Sequence, residues 1–415
     1  MIAVRTVLPN LAGSPWLMAK PVQRVLAVLA DGGAEGRVVG GAVRNALLGL
    51  PVHEVDVATT ALPDQVMALA RKARLRAVPT GIDHGTVTVV VGGHPVEVTT
   101  LRRDVETDGR RAVVAYTTDW HEDAERRDFT INALYCAADG RLFDPVSGYQ
   151  DLRERRVRFI GDATMRIRED YLRILRFYRF HATLGEGPLD VDSHAAAVVL
   201  KDGLSGLSRE RVRAELLRLL AGRRAVPVVR EMAEDSIFAA LGLEPLDVGR
   251  FSRLVAIERA LERAADPVLR LAALALCETS DATGLTERLR LSNAERDRID
   301  AMHRGAAPEP DWDARALRVA AYHIGSDALV DRALIAWSAS EAAPEDSDWG
   351  RVVRLADIRN LPVFPVKGGD LLAQGVPPGR EVGHLLKRLE AHWIAEDFKL
   401  GRSELLEYAQ SLTAG

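Results

Sequence analysis

The sequence predicts a mixed α/β domain followed by a long region of helices. Short β-type runs are concentrated between about Arg37 and Phe159, with helical stretches such as "PDQVMALARKARL" between them. The runs are "RVVGG", "EVDVATT", "GTVTVVV", "PVEVTT", "RLFD" and "RVRFIG". From Ala163 onward the periodicity is almost only helical, with breaks near "GEGPLD", "AGRRAVP", "GAAPEPDWD" and "NLPVFPVKGG".

The composition limits the class of protein. The 415 residues are 47% hydrophobic, which is enough to build several cores, and the formal net charge of −4 means that any polyanion site must be a local basic patch. Only two cysteines occur, which excludes a disulfide framework and a cysteine zinc site. No signal peptide or membrane-spanning apolar run is found, so we expect a cytoplasmic protein.

The stretch "VGGAVRNALLGLPVHEVDVATT" combines a glycine turn with two acids. Gly40 and Gly41 allow backbone amides to approach a phosphate, and Arg44 in the following segment can supply a phosphate partner. Because residues two apart on a strand point to one face, Glu54 and Asp56 are predicted to lie side by side.

A third acid is predicted to join this pair. Glu54 and Asp56 alone are more typical of an edge strand with a solvated acidic face, but a later strand, "HPVEVTTLR", offers Glu97. Two carboxylates on one strand and a third on its neighbour can hold two Mg²⁺ ions roughly 3.5–4 Å apart. The catalytic prediction is therefore Glu54, Asp56 and Glu97, with Glu54 and Asp56 as metal ligands.

Several motifs, in order, carry a resemblance to a known family. "GGAVRN…EVDVATT" resembles the signature of the class II nucleotidyltransferase head of tRNA CCA-adding enzymes and bacterial poly(A) polymerases. The resemblance implies a mixed, five-stranded-type sheet with helices, followed by an all-α neck, body and tail. Four further motifs follow, and a C-terminal segment over 364–398 is similar to that of many bacterial members. The four motifs are "RRDFTINALY", "DPVSGYQDLRERRVRFIGD", "REDYLRILRFYRF" and "LSRERVRAELLRLL".

The resemblance divides the chain into four parts. We predict a catalytic head over 1–160, a base-recognising neck over 161–222, a body over 223–362 and a tail over 363–415. Two positions depart from the family pattern: Asn45 and Glu54 stand where Asp is usual. Glutamate keeps the charge and adds one methylene, so we predict that Glu54 still ligates metal, whereas Asn45 orients the Arg44 segment.

The helix "EDYLRILRFYRF" is predicted to select the base. Asp170 and Arg173 are spaced i, i+3 and point the same way. Taken alone, this pattern is typical of a solvated helix face, but an Asp acceptor beside an Arg donor fits the Watson–Crick edges of cytosine and adenine and opposes those of uracil and guanine. In the resembling family the matching Asp and Arg have this template role. Arg176 and Arg179 are predicted to face phosphate or sugar.

The motif "RRDFTINA" adds three nucleotide-binding candidates. The resemblance implies that Arg127 contacts the triphosphate and Asp128 the ribose, with Asn132 beside them. The interval 102–120 is charged and lacks a strong period, and we interpret it as a mobile loop. In the family, a flexible loop here is associated with the switch from adding C to adding A.

The tail is predicted to contact tRNA. A glycine-rich turn precedes the helical "DLLAQG", and a second helix follows Pro-Pro-Gly; glycines at helix N-termini suit phosphate. Positive charge is added there by Lys367, Arg380, Lys387 and Arg388.

Together these features favour template-independent addition of CCA to the tRNA 3′ end from CTP and ATP, with Mg²⁺ as cofactor and release of pyrophosphate. A poly(A) polymerase is second, although the chain lacks a strongly basic tail, ending "EYAQSLTAG". An enzyme that adds only A is third. A non-catalytic RNA-binding relative is a more distant alternative, suggested by Glu54 and Asn45.

Overall fold

The computed structural model describes residues 7–108, 111–276, 282–303 and 306–413. The chain divides into two compact units, one formed by Met1–Glu244 with Arg288–Arg290 and the other by Pro245–Glu287 with Leu291–Gly415. An α/β region followed by helices is confirmed. The finer division at residues 160, 222 and 362 stays a prediction.

All of the strands in the described part of the chain belong to the first unit. They are β1 Gly36–Val39, β2 Asp56–Thr59, β3 Arg76–Gly81, β4 Thr86–Val91, β5 His94–Thr100, β6 Arg102–Asp108, β7 Arg111–Tyr116, β8 Tyr135–Cys136 and β9 Leu142–Phe143. The helices of this unit are α1 Lys20–Asp31, α2 Gly41–Leu47, α3 Pro63–Lys72, α4 Trp120–Glu125, α5 Gly148–Arg153, α6 Ala163–Glu169, α7 Leu172–Leu184, α8 Val191–Val199, α9 Arg209–Leu220, α10 Ala225–Glu234 and α11 Ile237–Ala240.

Seven strands form one sheet in the order β3-β4-β5-β2-β1-β8-β9. Five of them form the predicted five-stranded type of sheet, and the two-residue strands β8 and β9 extend it beyond β1. Only β2 and β5 pair in parallel within this sheet, and their register places Asp56 directly opposite Glu97. Partners in a parallel register point to the same face, so the sheet brings these two carboxylates together.

Most of the predicted strands are confirmed, with three corrections. "RVRFIG" is wrong as a strand, because Val157 and Phe159 are buried by packing, and Phe159 makes only an isolated bridge with Phe129. Strand β2 begins at Asp56, so Glu54 precedes the strand and does not lie on it. The interval 102–120, interpreted as a mobile loop, contains the antiparallel hairpin of β6 and β7, and α4 begins at Trp120.

Aromatic side chains join the segment after α4 to α7. Phe129 packs on Phe159 with ring centroids 4.7 Å apart and on Phe180 at 5.3 Å, while Phe159 stacks on Phe177 at 5.8 Å. Phe129, Phe159 and Phe177 are fully buried. Aromatic pairs of this kind contribute about 0.5–1.5 kcal/mol beyond their buried area. This cluster fixes the segment that carries Arg127 and Asp128 against the helix that begins just after Asp170.

The second unit consists of helices in the part of it that the structure describes. They are α12 Val248–Ala260, α13 Pro267–Ala275, α14 Ala282–Leu289, α15 Asn293–His303, α16 Ala314–Ile324, α17 Ser326–Ala339, α18 Ser347–Ala356, α19 Gly368–Ala373, α20 Arg380–Ala395 and α21 Arg402–Thr413, with the last two residues of α14 belonging to the first unit.

Two features hold this second unit together. Trp337 of α17 stacks on Trp349 of α18 with ring centroids 6.2 Å apart, and Arg270 donates to the buried Glu258 at 2.6 Å. Near the C-terminus, α19, α20 and α21 share a small core around Leu389 and Trp393. The two predicted tail helices are thus present as α19 and α20. Among the described residues, no helix is both long enough and apolar enough to span a membrane.

Candidate active site

A cavity of about 540 Å³ in the first unit collects most of the predicted site residues. Of the thirteen predicted residues, Glu54 and Arg179 are not in its wall. The eleven that line it are Gly40, Gly41, Arg44, Asp56, Glu97, Arg127, Asp128, Asn132, Asp170, Arg173 and Arg176. Residues as far apart in sequence as Gly40 and Arg176 therefore meet at one place, which motif order alone did not show.

Asp56 and Glu97 form the acidic part of the cavity wall. The protein around Asp56 displaces solvent, which raises the pKa of its carboxyl, and the negative charges of Glu97 and Glu54 raise this pKa further. Arg127 opposes the shift without reversing it. Repelling carboxylates at a solvent-accessible position are stabilised by a bound cation, and hard oxygen donors of this kind suit Mg²⁺.

Glu54 lies close enough to Asp56 to raise its pKa, although it stands outside the strand and the cavity wall. Its side chain is exposed. Because a glutamate has one more methylene than an aspartate, it reaches further from a backbone that is not fixed by strand pairing. The predicted role of Glu54 as a metal ligand is compatible with this position and stays a prediction.

Arg44 is held in the cavity by two asparagines. Its Nη2 and Nε donate to Asn45 Oδ1 at 2.9 and 3.2 Å, and its Nη1 donates to Asn132 Oδ1 at 2.5 Å. Burial lowers the pKa of Arg44 to about 10, and the positive charge of Arg179 contributes. Because both partners are neutral amides, the cation is oriented without being neutralised. Asn45 thus orients Arg44, in agreement with the interpretation from the sequence.

Arg127 is positioned by a buried carboxylate that the sequence analysis did not identify. Asp123 on α4 accepts from Arg127 Nη2 at 3.0 Å, from Arg126 Nε at 2.8 Å and from the Tyr135 hydroxyl at 2.8 Å. Burial by itself would raise the pKa of Asp123, but the arginines and Tyr135 outweigh it and lower the pKa. Asp123 therefore stays ionised and anchors two cavity arginines. Its place in "WHEDAERRDF", four residues before Arg127, is the signal for this pairing.

Asp128 is bound by protein groups on both oxygens. Its Oδ1 accepts from Asn132 Nδ2 at 3.0 Å and from the Phe129 amide at 2.8 Å, and its Oδ2 accepts from Arg176 Nε at 2.9 Å. Burial opposes ionisation, yet Arg176 and Asn132 together lower the pKa of Asp128 to about 2. Asp128 is thus a fixed anion in the cavity wall.

Arg179 turns to a different partner. Its Nε donates to the buried Glu215 of α9, and its guanidinium lies 3.8 Å from the centroid of the Phe180 ring. Arg176 Nη1 approaches the same Glu215 at 3.6 Å. The predicted contact of Arg179 with phosphate or sugar stays a prediction, and its place behind the cavity wall favours an indirect role.

Asp170 and Arg173 both face the cavity, and each has an oppositely charged partner. Asp170 Oδ2 accepts from Arg211 Nη2 at 2.6 Å, and Arg173 Nη1 bonds to Glu169 and to the carbonyl of Arg166. Asp170 has an extended backbone between α6 and α7, which is why α7 begins only at Leu172. Arg211 and Glu169 lie inside recognised motifs, but their spacing did not reveal these pairings.

Positive charge predominates in the cavity. Its wall has seven arginines, at positions 44, 102, 126, 127, 173, 176 and 211, and four carboxylates, at 56, 97, 128 and 170. Asp128 and Asp170 each hold an arginine in place, whereas Asp56 and Glu97 repel each other. The nearby Asp123, outside the wall, holds Arg127. Such a surface fits a polyanion together with a divalent cation, which is the composition of a metal nucleoside triphosphate.

Another group that could hold a cation lies outside this cavity. His194, Glu231 and Asp235 offer ligand atoms within 4.8 Å of one another. His194 Nε2 already contacts Asp235 Oδ2 at 2.6 Å, and the Tyr178 hydroxyl donates to the same oxygen at 2.8 Å. These bonds explain the cluster as a polar link between helices.

The fold and this cavity define a nucleotidyltransferase. Residues 36–158 match the family model described as Poly A polymerase head domain, and residues 189–244 match the one described as Probable RNA and SrmB- binding site of polymerase A.

Comparison with individual proteins gives the particular family. The mitochondrial CCA tRNA nucleotidyltransferase 1 of Danio rerio is 35% identical over 397 residues, covering 90% of this chain and 86% of that protein. The CCA-adding enzyme of Oceanobacillus iheyensis is 36% identical over 62% of this chain and 65% of its own. The crystal structure of the Bacillus stearothermophilus CCA-adding enzyme with CTP superposes with a TM-score of 0.73, at 27% identity, over 94% of this chain and 96% of that one. The chain belongs to the CCA tRNA nucleotidyltransferase family, and the predicted resemblance is confirmed.

Proposed function

We propose that the protein completes the 3′ end of tRNA by adding CCA from CTP and ATP without a nucleic-acid template. The observation that carries this proposal is the single cavity in which an acidic pair, several oriented arginines and the Asp170–Arg173 pair meet. Each transfer joins the tRNA 3′ oxygen to the α-phosphorus of the nucleotide, and the bond to the β-phosphate breaks with release of pyrophosphate.

The acids supply the cation site. Family members generally use divalent metals, and we propose two Mg²⁺ ions held by Asp56 and Glu54, with Glu97 beside them. Burial raises the pKa of Asp56, and the negative charges of Glu97 and Glu54 raise it further, which supports a cation site at these acids. Bound there, Mg²⁺ supplies Lewis-acid stabilisation of the attacking and departing oxygens.

The remaining polar groups position the nucleotide. Arg44 and Arg127 have fixed orientations and bind phosphate oxygens, while Gly40 and Gly41 let the backbone approach them. Gly40 has φ +72°, a conformation that favours glycine. Asp128 and Asn132 face the sugar, and Arg176 adds positive charge beside them. Because these groups are held before the substrate arrives, little reorganisation is needed during transfer.

The base is chosen by Asp170 and Arg173. Cytosine and adenine each present an amino donor beside a ring-nitrogen acceptor, which match a carboxylate and a guanidinium. Uracil and guanine present a carbonyl and an N–H in those places, so both contacts become repulsive. A site built from such fixed polar groups can discriminate strongly.

We propose that tRNA is bound through its backbone by the helical parts of the chain, since RNA helices are recognised largely by shape and phosphate contacts. In the tail, exposed cations lie at the start of α19 and along α20: Lys367, Arg380, Lys387 and Arg388. The cytoplasm remains the proposed compartment.

Three tRNA transcripts test the proposal: one ending before CCA, one after the first C and one after CC. Each is incubated with Mg²⁺ and with CTP and ATP, separately and together, and the 3′ ends are sequenced. We expect a stop after CCA on all three transcripts, and the Asp56→Asn variant, which has the shape but not the charge, is the matched control.

The other results select the alternatives. Addition of A only to the transcript ending in CC indicates an A-adding enzyme, and a long A tail indicates a poly(A) polymerase. An absence of incorporation with Mg²⁺ or Mn²⁺ contradicts the proposal and favours a non-catalytic RNA-binding protein.

A further inference from the structure

One face of α9 contacts the residues proposed to bind the nucleotide. Arg211 and Glu215 are separated by four positions, so they lie on the same side of the helix. Arg211 bonds to Asp170, and Glu215 bonds to Arg179 and approaches Arg176. A single helix thus supplies a partner of opposite charge to residues that precede and form α7.

Asp170 is held at both carboxylate oxygens. Its Oδ1 accepts the amide N–H of Leu172 at 3.1 Å, and its Oδ2 accepts Nη2 of Arg211 at 2.6 Å. The first contact is to backbone that cannot move away, and the second is a charge-assisted hydrogen bond, which is the stronger kind. Together they fix the plane of the carboxylate, while each oxygen retains a lone pair for a further donor.

Arg173 is held differently. Its contacts with Glu169 and with the carbonyl of Arg166 are both made by Nη1. Within the described residues, no hydrogen bond to Nη2 or Nε of Arg173 is present, so these donors can meet a base. The acceptor and the donor of the proposed base-reading pair are therefore each supported from the protein side and open towards the cavity.

We propose that Arg211 is a positioning residue for base selection, which acts by holding the Asp170 carboxylate in the orientation that accepts the amino group of cytosine or adenine. This inference rests on the proposed function, in which Asp170 contacts the base. Uracil is rejected because its carbonyl oxygen meets a carboxylate that cannot turn aside. Without Arg211 the carboxylate rotates, the repulsion of uracil and guanine decreases, and the attraction for cytosine and adenine decreases with it.

The test compares Arg211→Met and Arg211→Lys with wild type. Methionine keeps an unbranched side chain without charge, and lysine keeps the charge with a single donor position. The control is Glu210→Gln, at an exposed position of the same helix. kcat/KM is measured for CTP and UTP on the tRNA ending before CCA, and for ATP and GTP on the tRNA ending in CC. Dissociation constants of CTP and UTP are measured without tRNA.

For Arg211→Met we expect the preference for CTP over UTP to fall roughly tenfold or more, because one charge-assisted hydrogen bond no longer orients the acceptor. Arg211→Lys recovers part of the preference, and Glu210→Gln keeps it. The ratio of dissociation constants changes in the same direction as the kinetic ratio. Equal losses for all four nucleotides in both Arg211 variants, with unchanged ratios, would overturn the inference.

The Asp170→Asn variant separates this inference from the proposed function. Asparagine keeps an oxygen for the Leu172 amide but removes the charge. If Asp170→Asn relaxes the base preference and neither Arg211 variant does, the positioning role is wrong and the proposed base contact stands. If Asp170→Asn leaves the preference intact as well, the proposed base contact is itself wrong. Should Arg211→Met not fold, judged by circular dichroism, Arg211→Lys and Arg211→Gln decide in the same way.

Discussion

The ionised carboxylate of Asp56 is disfavoured by its surroundings in the cation-free protein. Burial and the charges of Glu97 and Glu54 raise its pKa. When folding raises the pKa of a carboxyl, the free energy of unfolding decreases as the pH rises above the unfolded-state pKa. At pH 7 an ionised Asp56 therefore destabilises the cation-free protein.

We predict that Asp56→Asn raises the melting temperature in EDTA and abolishes nucleotide transfer. The neutral amide removes the repulsion, but it also removes a proposed metal ligand. Thermal unfolding with EDTA and with Mg²⁺ checks this, and Mg²⁺ should stabilise wild type but not the variant. An Asp56→Asn protein less stable than wild type in EDTA would contradict the electrostatic argument.

Glu54 gives a second test at the same site. We expect Glu54→Ala to lower kcat/KM by about 10–100-fold and to raise the Mg²⁺ concentration needed for half-maximal rate, because metal chemistry depends on ligand position. Glu54→Asp should retain more activity. Asp64→Ala, an exposed acid on α3, is the control. Undiminished turnover of Glu54→Ala at limiting Mg²⁺ would rule out the role.

Asp128 links the site to acid stability. Its folded-state pKa is lowered from 3.8 to about 2, chiefly because Arg176 outweighs the effect of burial. When folding lowers the pKa of a carboxyl, the ionised form stabilises the fold at pH values above the unfolded-state pKa. This stabilisation is lost as the pH falls through the folded-state pKa.

We therefore predict that the stability difference between wild type and Asp128→Asn, about 2 kcal/mol at pH 6, shrinks between about pH 4 and pH 2. Denaturant unfolding at several pH values measures it. A difference that is the same at pH 6 and pH 2 would show that the charge of Asp128 does not stabilise the fold.

Among the elements, α9 contributes more to the site than its sequence suggests. Buried Glu215 faces three arginines, at positions 176, 179 and 218. Removing one partner of a buried charge cluster costs about 3–5 kcal/mol, because the remaining charges lose compensation. We predict that Glu215→Gln lowers the melting temperature by several degrees. Glu210→Gln, at an exposed position of α9, is the control and should unfold like wild type.

The strands show which elements can be predicted from sequence. Runs with apolar alternation, such as "GTVTVVV", were correctly assigned, because burial of one face produces that pattern. The hairpin of β6 and β7 was missed because "RRDVETD" has little apolar alternation. The Asp-Gly dipeptide at 108–109 could have indicated it, since such pairs favour two-residue hairpin turns. The strand predicted for "RVRFIG" is wrong although the segment has apolar alternation. Its apolar residues pack on aromatic rings and have no partner strand.

Individual residues of the cavity wall could be predicted from the sequence, but most of the contacts between them could not. Recognisable motifs or strand patterns contain four residues that line the cavity: Asp56, Glu97, Asp170 and Arg173. Arg211 contacts Asp170 only through tertiary packing, and periodicity contains no information about such a pair. The four-residue spacing of Asp123 and Arg127, by contrast, is a signal that the sequence does contain. Pairings between distant segments required the structure.

For the whole molecule, the proposed tRNA contacts give a prediction about salt. We expect Lys387→Gln with Arg388→Gln to raise KM for tRNA and leave the affinity for CTP unchanged, because both side chains are exposed on α20 in the second unit. The slope of log affinity for tRNA against log salt concentration should become less negative by roughly one to two, because two phosphate contacts are lost. Arg71→Gln with Lys72→Gln on α3 is the control. An unchanged salt slope would exclude this part of the tail from the interface.

The capping contact of Asp170 has a consequence for how nucleotide choice can evolve. The same carboxylate that we propose to read the base also accepts the first amide N–H of α7. A substitution of Asp170 that changes which nucleotides are added therefore also weakens the start of α7. It lowers the free energy of unfolding by about 0.5–2 kcal/mol unless the new side chain can accept that N–H. Asparagine, serine and threonine meet this requirement, whereas most other residues lose both functions together. Only a few substitutions of Asp170 can therefore change nucleotide choice without destabilising α7, so the stability of the fold limits how nucleotide selection can change.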